Sequence, residues 1–132
     1  MSITESNASR VKAMEGRLAF LDTGAGFARI RLFDGVRPLV SADPDVGSTL
    51  IAEVVLTNPA GSIVSNALTL TASGAGDVFQ TGTPTWARVV NGDGATAFDM
   101  DAGIVGSGAT CIISDEVLYA GGVVTIANVS FS

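Results

Sequence analysis

Apolar residues recur at helical spacing near the start of the chain. They lie three and four positions apart, at Val11, Met14, Leu18 and Leu21. This spacing predicts a helix with one apolar stripe. Ser6 or Ser9 is suited to cap the start of the helix, and Gly24 suits the left-handed residue beyond its end. Because an isolated helix of about 15 residues is marginal in water, we expect the stripe to pack on its own domain or on a neighbouring subunit.

The pattern changes from helical to alternating after Gly26. Residues 28–33 place apolar side chains on one face of a predicted strand and Arg29 and Arg31 on the other. Further strands are predicted at residues 50–57, 63–64, 67–71, 85–90, 95–100, 109–114 and 123–131. Turns or loops are predicted between them, at residues 34–47, 58–61, 73–77, 91–94, 101–108 and 121–122, with a bridge or short strand at 115–119. The strongest turn signal is Asn-Gly-Asp-Gly at 91–94, since these residues accept the positive φ angles of tight hairpins.

This arrangement predicts a mostly-β fold with one N-terminal helix. Seven or eight short strands, spaced by about 8–12 residues, are typical of an antiparallel sandwich or barrel. The pattern shows no second long helix, which argues against a doubly wound α/β fold. We therefore divide the chain into a helical segment, residues 1–25, and a single β domain, residues 26–132.

Composition limits the partners of this domain. Of the 132 residues, 47% are apolar and only 15% are charged, against about 25% charged in ordinary globular chains. Either part of the surface is covered in an oligomer or assembly, or Ser, Thr and Gly supply uncharged polar loops. A net charge of −6 argues against nucleic-acid binding and against adsorption to anionic membranes. We also expect neither a membrane-spanning segment nor a signal peptide.

The residues that most enzymes rely on are scarce. The chain has no histidine, the commonest general base and metal ligand. Its one cysteine, Cys111, lies in an apolar run and is predicted to be a buried small hydrophobe. Its only lysine, Lys12, is not part of a phosphate-binding loop. We therefore expect no enzymatic activity, no cofactor and no zinc site.

Three aspartates are candidates for metal binding or catalysis. Asp93, Asp99 and Asp101 lie close in sequence beside glycines, a setting in which carboxylates can gather around calcium or act as a glycosidase pair. They lack the regular spacing of a calcium loop, and turn-forming aspartate is the commoner explanation.

Interface candidates come from the helix stripe and from three residues of the β domain. Trp86 is either a packing anchor or a stacking platform for a sugar. Arg29 and Arg31 form either a solvated strand face or contacts with acidic patches of a neighbour. The candidate set is Val11, Met14, Leu18, Leu21, Arg29, Arg31 and Trp86.

Two segments give the chain a family resemblance. One is the turn Asp34-Gly35-Val36-Arg37-Pro38, and the other is the predicted hairpin at residues 83–94, which contains Trp86 and Arg88. With the order of the surrounding strands, they resemble small structural proteins of tailed bacteriophages and prophages over nearly the whole chain.

The resemblance implies a virion protein, and specifically a capsid decoration or cement protein with a jelly-roll-like β-sandwich. It would form a homo-oligomer, with a trimer favoured, and would bind the major capsid protein or other virion proteins. Its location would be the virion, and the bacterial cytoplasm during assembly. A tail or baseplate component and a carbohydrate- or receptor-binding module stay open as alternatives.

Overall fold

One helix precedes nine strands in the part of the chain that the structure, a computed structural model, describes: residues 6–39 and 47–131. Helix α1 spans Asn7–Leu21. Ser6 caps it, since its side chain accepts a hydrogen bond from the Ser9 amide at 3.2 Å. The predicted helix is therefore confirmed, with Ser6 rather than Ser9 as its cap.

Gly24 has a positive φ of 111°, three residues past the end of α1. A Cβ atom there would lie 2.6 Å from the Asp93 amide nitrogen. Glycine is therefore required at this position for two reasons: its backbone angle and its close approach to the 91–94 turn.

The strands are short except for β2. Their bounds are β1 Arg29–Phe33, β2 Leu50–Val64, β3 Ala67–Ala72, β4 Gly76–Val78, β5 Trp86–Val90, β6 Thr96–Gly103, β7 Cys111–Ile113, β8 Val123–Val124 and β9 Ile126–Phe131. The prediction of a mostly-β chain with one helix is confirmed. Part of the predicted loop at residues 36–47 lies outside the described residues.

The sheet closes into a seven-stranded barrel, one of the two architectures that the strand pattern predicted, rather than the jelly-roll-like sandwich that the resemblance implied. Strand β1 pairs with both β2 and β5, which joins the two ends of the order β1-β5-β6-β7-β9-β3-β2. Strands β4 and β8 extend from β2 outside this ring. The β6–β7 pair is parallel, so the sheet is not purely antiparallel either.

The length of β2 explains the closure. Residues 58–61 were expected to end a strand, but the strand continues through them. The pairing register with β3 shifts between Leu56 and Gly61, which makes this stretch a bulge. Before the bulge β2 pairs with β1 and, at Leu56, with β3. After the bulge it pairs with β3 alone, so one strand turns the corner of the barrel.

Other boundaries differ from the predictions at glycine-rich stretches. Strand β4 lies partly inside the predicted loop at 73–77, and β6 continues to Gly103 inside the predicted turn at 101–108. The predicted strand at 123–131 is divided into β8 and β9. Glycine does not end a strand when the pairing partner is already in place, and local patterns do not show the partner.

The barrel interior is the hydrophobic core, and α1 packs against it. Ile30, Leu32 and Val54 from the barrel are fully buried, as are Met14 and Leu21 from the helix. The helix contacts β2, β3 and β6. Two hydrogen bonds fix the segment after it: the Ala60 amide donates to Asp22 Oδ1 at 2.9 Å, and the Gly92 amide donates to the Thr23 carbonyl at 3.0 Å. The helix therefore packs on its own domain.

Candidate interaction surfaces

Charged residues form a row across the outer wall of the barrel. Glu53 on β2 faces Arg31 on β1, which faces Arg88 on β5, which faces Asp99 on β6. Glu53 binds two arginines, Arg31 at 3.0 Å and Arg29 at 3.2 Å. Asp99 accepts two hydrogen bonds from Arg88, at 2.8 and 3.1 Å. The arginines of the wall are thus paired within the domain.

Trp86 is a packing anchor. Its side chain is 1% exposed and stacks on Phe33 with ring centroids 4.4 Å apart. Its Nε1 donates to the Asp34 carbonyl at 3.0 Å and to Ser48 Oγ at 3.2 Å. The Arg88 guanidinium lies over the ring, 5.2 Å from its centroid. Buried in this way, Trp86 has no open face on which a sugar could stack.

The turn at residues 34–38 and the hairpin at residues 83–94 meet at this anchor. Besides the bond from Trp86 to Asp34, the Thr85 hydroxyl donates to the Gly35 carbonyl at 2.7 Å. The Asp34 side chain accepts from the Thr49 amide at the far end of the loop. Residues that are far apart in sequence therefore build one structural corner.

The apolar stripe of the helix packs against the interior of the domain. Met14 and Leu21 are fully buried, and Leu18 packs partly buried against the core. Val11 is half-buried. A contact with a partner therefore stays a prediction chiefly for Val11, Arg29 and Arg31, which retain exposed surface.

The three aspartates considered for calcium are dispersed. Asp99 pairs with Arg88, Asp101 pairs with Arg37 at 3.3 Å, and Asp93 lies in the turn before β6. Within residues 6–39 and 47–131, no three His, Cys, Asp or Glu side chains are grouped to hold a metal ion.

Cys111 is fully buried on β7. Burial disfavours the thiolate and raises the pKa of the Cys111 thiol from 9.0 to about 12. The thiol is therefore protonated at neutral pH and is a poor nucleophile.

A groove of about 840 Å³ opens between α1 and β6. Its lining is about equally polar and apolar and includes three phenylalanines. We call it the α1–β6 groove; it is lined by Ala13, Gly16, Arg17, Phe20, Arg37, Thr96, Ala97, Phe98, Asp99, Met100, Thr110 and Phe131. Phe98 and Phe131 meet edge to face with centroids 4.9 Å apart, and the Arg17 guanidinium lies 6.0 Å from the centre of the Phe131 ring. Sequence reasoning missed this groove, although Phe20, an aromatic residue off the apolar stripe of the helix, was a signal for it.

The second surface is an apolar flap beside the barrel. We define the β4–β8 flap as residues 76–82 and 115–124. Reciprocal backbone hydrogen bonds between Gly82 and Leu118, at 2.9 and 2.8 Å, hold its two segments together, and Leu118 is buried beneath them. Four large apolar side chains are exposed on it: Phe79, Val117, Tyr119 and Val123. Sequence reasoning read these positions only as parts of loops and strands.

Three carboxylates lie in the same two segments as the apolar side chains of the flap. Asp77, Asp115 and Glu116 are exposed, and none of them forms an ion pair with another described residue. The flap therefore presents apolar surface with unpaired negative charge, unlike the wall of the barrel.

No helix in the described part of the chain is both long and apolar enough to cross a bilayer. Comparisons of the chain with protein-family models, with curated proteins and with solved structures found no match. The case for a function therefore depends on the residues and surfaces described above.

Proposed function

We propose that this chain is a bacteriophage virion structural protein, and specifically a capsid decoration protein that stabilises the head through protein–protein contacts. The observation that carries the proposal is the group of exposed apolar side chains on the β4–β8 flap. Clustered apolar exposure on a folded domain is typical of a surface that another protein covers. The phage assignment itself rests on the resemblance of residues 34–38 and 83–94 to phage structural proteins.

The barrel suits a mechanical task. Its wall is closed, its arginine–carboxylate pairs are internal, and Trp86 is hydrogen-bonded to Asp34 and Ser48. A rigid body of this kind transmits load between the proteins that it joins. Contacts that are weak singly become strong when the symmetry of a shell repeats them.

The helix is not a suitable target for testing this function by deletion. Met14 and Leu21 are in the core, so removing residues 1–25 would unfold the domain rather than remove a contact. Surface substitutions on the flap separate binding from folding.

The test uses heads purified without tails, stripped of this protein and then mixed with it. We expect the wild-type protein to co-sediment with heads and to raise their resistance to heat. Tyr119→Ser should weaken co-sedimentation, whereas Val105→Ser, which removes an exposed apolar side chain from the turn at 104–107, should not. Labelling of tails alone in intact virions would replace the decoration assignment with the tail or baseplate alternative. Absence from virions would refute the virion proposal.

A further inference from the structure

Charge is unevenly distributed along the chain. Six of the seven basic residues lie between Arg10 and Arg37, and Arg88 is the only one beyond them. Arg88 is paired with Asp99 on the wall, so it does not neutralise the flap. The N-terminal helix and the segment after β1 therefore carry the positive charge that the flap lacks.

The α1–β6 groove places part of this positive charge beside aromatic surface. Arg17 lies at its helical side and forms no ion pair with a described carboxylate. Arg37 lies on the barrel side, paired with Asp101 through an exposed contact. Phe20, on α1, lines the groove and is 40% exposed. The groove therefore combines aromatic side chains with two arginines in a lining that is about half polar.

The flap has the complementary character. Tyr119 is 67% exposed, and Asp115 and Glu116 precede it in the same segment. A groove of about 840 Å³ is within the range that buries a drug-sized ligand, so it is large enough to take an aromatic side chain. Aromatic anchors and desolvated arginine contacts are the features that contribute most to protein interfaces.

We propose that the β4–β8 flap of one copy docks into the α1–β6 groove of a second copy. Tyr119 enters the groove against Phe20, and Asp115 and Glu116 approach Arg17 and Arg37. Because the two surfaces differ, each copy offers one groove and one flap, and the assembly either closes, as a reciprocal dimer or a larger ring, or extends. The contact requires only copies of this chain. It uses the same flap as the proposed head contact and would compete with that contact, so it is measured in the absence of heads.

The first experiment measures mass in solution by light scattering over a concentration series. Wild type should associate, and Tyr119→Ser should weaken association by about tenfold or more, as expected for an aromatic interface anchor. Val105→Ser is the matched control for lost apolar surface and should associate like wild type. A monomeric wild type at 100 µM (roughly the concentration at which weak protein contacts are populated) would overturn the proposal.

Charge reversal tests the pairing itself. Arg17→Glu should weaken association, whereas Lys12→Glu, the same change on the same helix but outside the groove lining, should not. Adding Glu116→Arg to Arg17→Glu in one chain should restore association. If Arg17→Glu loses the circular dichroism spectrum of the fold, Phe20→Ser takes its place as the groove variant.

Mixing two defective variants distinguishes this contact from one in which a surface pairs with the same surface of the other copy. Arg17→Glu keeps an intact flap, and Tyr119→Ser keeps an intact groove, so the two together should form a complex that stops at one copy of each. An interface of identical surfaces would give no recovery on mixing. Unchanged association of both single variants would likewise contradict the flap-in-groove contact, while leaving head binding by the protein untouched.

Discussion

The barrel wall and the β4–β8 flap belong to one sheet but differ in how they satisfy their charges. On the wall, Glu53 binds two arginines and Asp99 binds Arg88. On the flap, Asp77, Asp115 and Glu116 have no ion pair with a described residue, and apolar side chains of the same segments are exposed. The wall is complete within one chain, whereas the flap leaves contacts to be made.

This difference shows which arginines are informative about partners. Arg29 and Arg31 attracted attention in the sequence because they alternate with apolar residues, but both bind Glu53. Arg17, which sequence analysis did not single out, lies beside an open groove. An exposed charge points to a partner only when its own domain leaves it unpaired.

The largest effect is expected at the anchor of the wall. Trp86→Ala should lower the free energy of unfolding by about 4 kcal/mol, because it removes a fully buried aromatic ring and leaves a cavity beside Phe33. Urea unfolding followed by circular dichroism measures the loss. Trp86→Phe keeps the stack while losing both Nε1 hydrogen bonds, so it should cost less. If Trp86→Ala lowers the free energy of unfolding by less than about 1 kcal/mol, as surface substitutions do, Trp86 is not an anchor of the wall.

The next effect is expected at the buried pair of the wall. Arg88→Met leaves the nearly buried Asp99 carboxylate without its guanidinium and should cost about 3 kcal/mol. The double variant Arg88→Met/Asp99→Leu removes both charges and should recover most of the loss in the same urea measurement. If the double variant is as unstable as the single one, the cost does not come from the unpaired carboxylate.

A smaller, pH-dependent effect is expected at Cys111 in the barrel. Its folded pKa of about 12 lies above the ordinary 9.0, so the folded protein holds a proton that the unfolded chain releases between these values. This contribution to the free energy of unfolding is complete below pH 9 and is lost as pH rises toward 12. The loss amounts to about 1 kcal/mol at pH 10.

The comparison with Cys111→Ala isolates that contribution. At pH 7 the variant should be less stable than wild type, because a buried side chain is truncated. The gap should narrow between pH 9 and pH 12. A gap that stays constant over this range would show that the thiol is not desolvated.

The smallest effect is expected on the flap. Tyr119→Ser should change the free energy of unfolding of the monomer by less than about 0.5 kcal/mol, because the side chain is mainly exposed. Thermal unfolding at high dilution measures it without contributions from association. A loss comparable to that of Trp86→Ala would mean that the flap is part of the core, and the contrast with the wall would fail.

Sequence reasoning recovered the elements whose pattern is local. The α1 stripe, the alternation of β1, the strand at Trp86 and the turn at 91–94 all follow from spacing or turn chemistry within about ten residues. Asn91 adds a local reason for that turn, since its side chain accepts from the Asp93 and Ala95 amides.

Closure of the barrel could not be predicted from such local patterns. It depends on β1 pairing on both sides and on the bulge that lets β2 continue past Pro59, and both depend on distant partners. The groove and the flap were missed for a related reason: Phe20, Phe98 and Phe131 come from three elements, and only the fold brings them together. The exposed Tyr119 follows Leu118, which is buried, and no alternation predicted which of the two would face outward.

The position of β9 in the ring determines when this protein can fold during its synthesis. Thr69 on β3 and Ser130 on β9 are hydrogen-bonded although 61 residues separate them, and β9 also pairs with β7. Until β9 has left the ribosome, the nascent chain therefore has unpaired backbone on both β3 and β7, the kind of edge to which other chains add. Pairing across such long separations is also slow, because much chain entropy is lost before the contacts form. Rapid expression should therefore favour aggregation of the incomplete barrel over its closure.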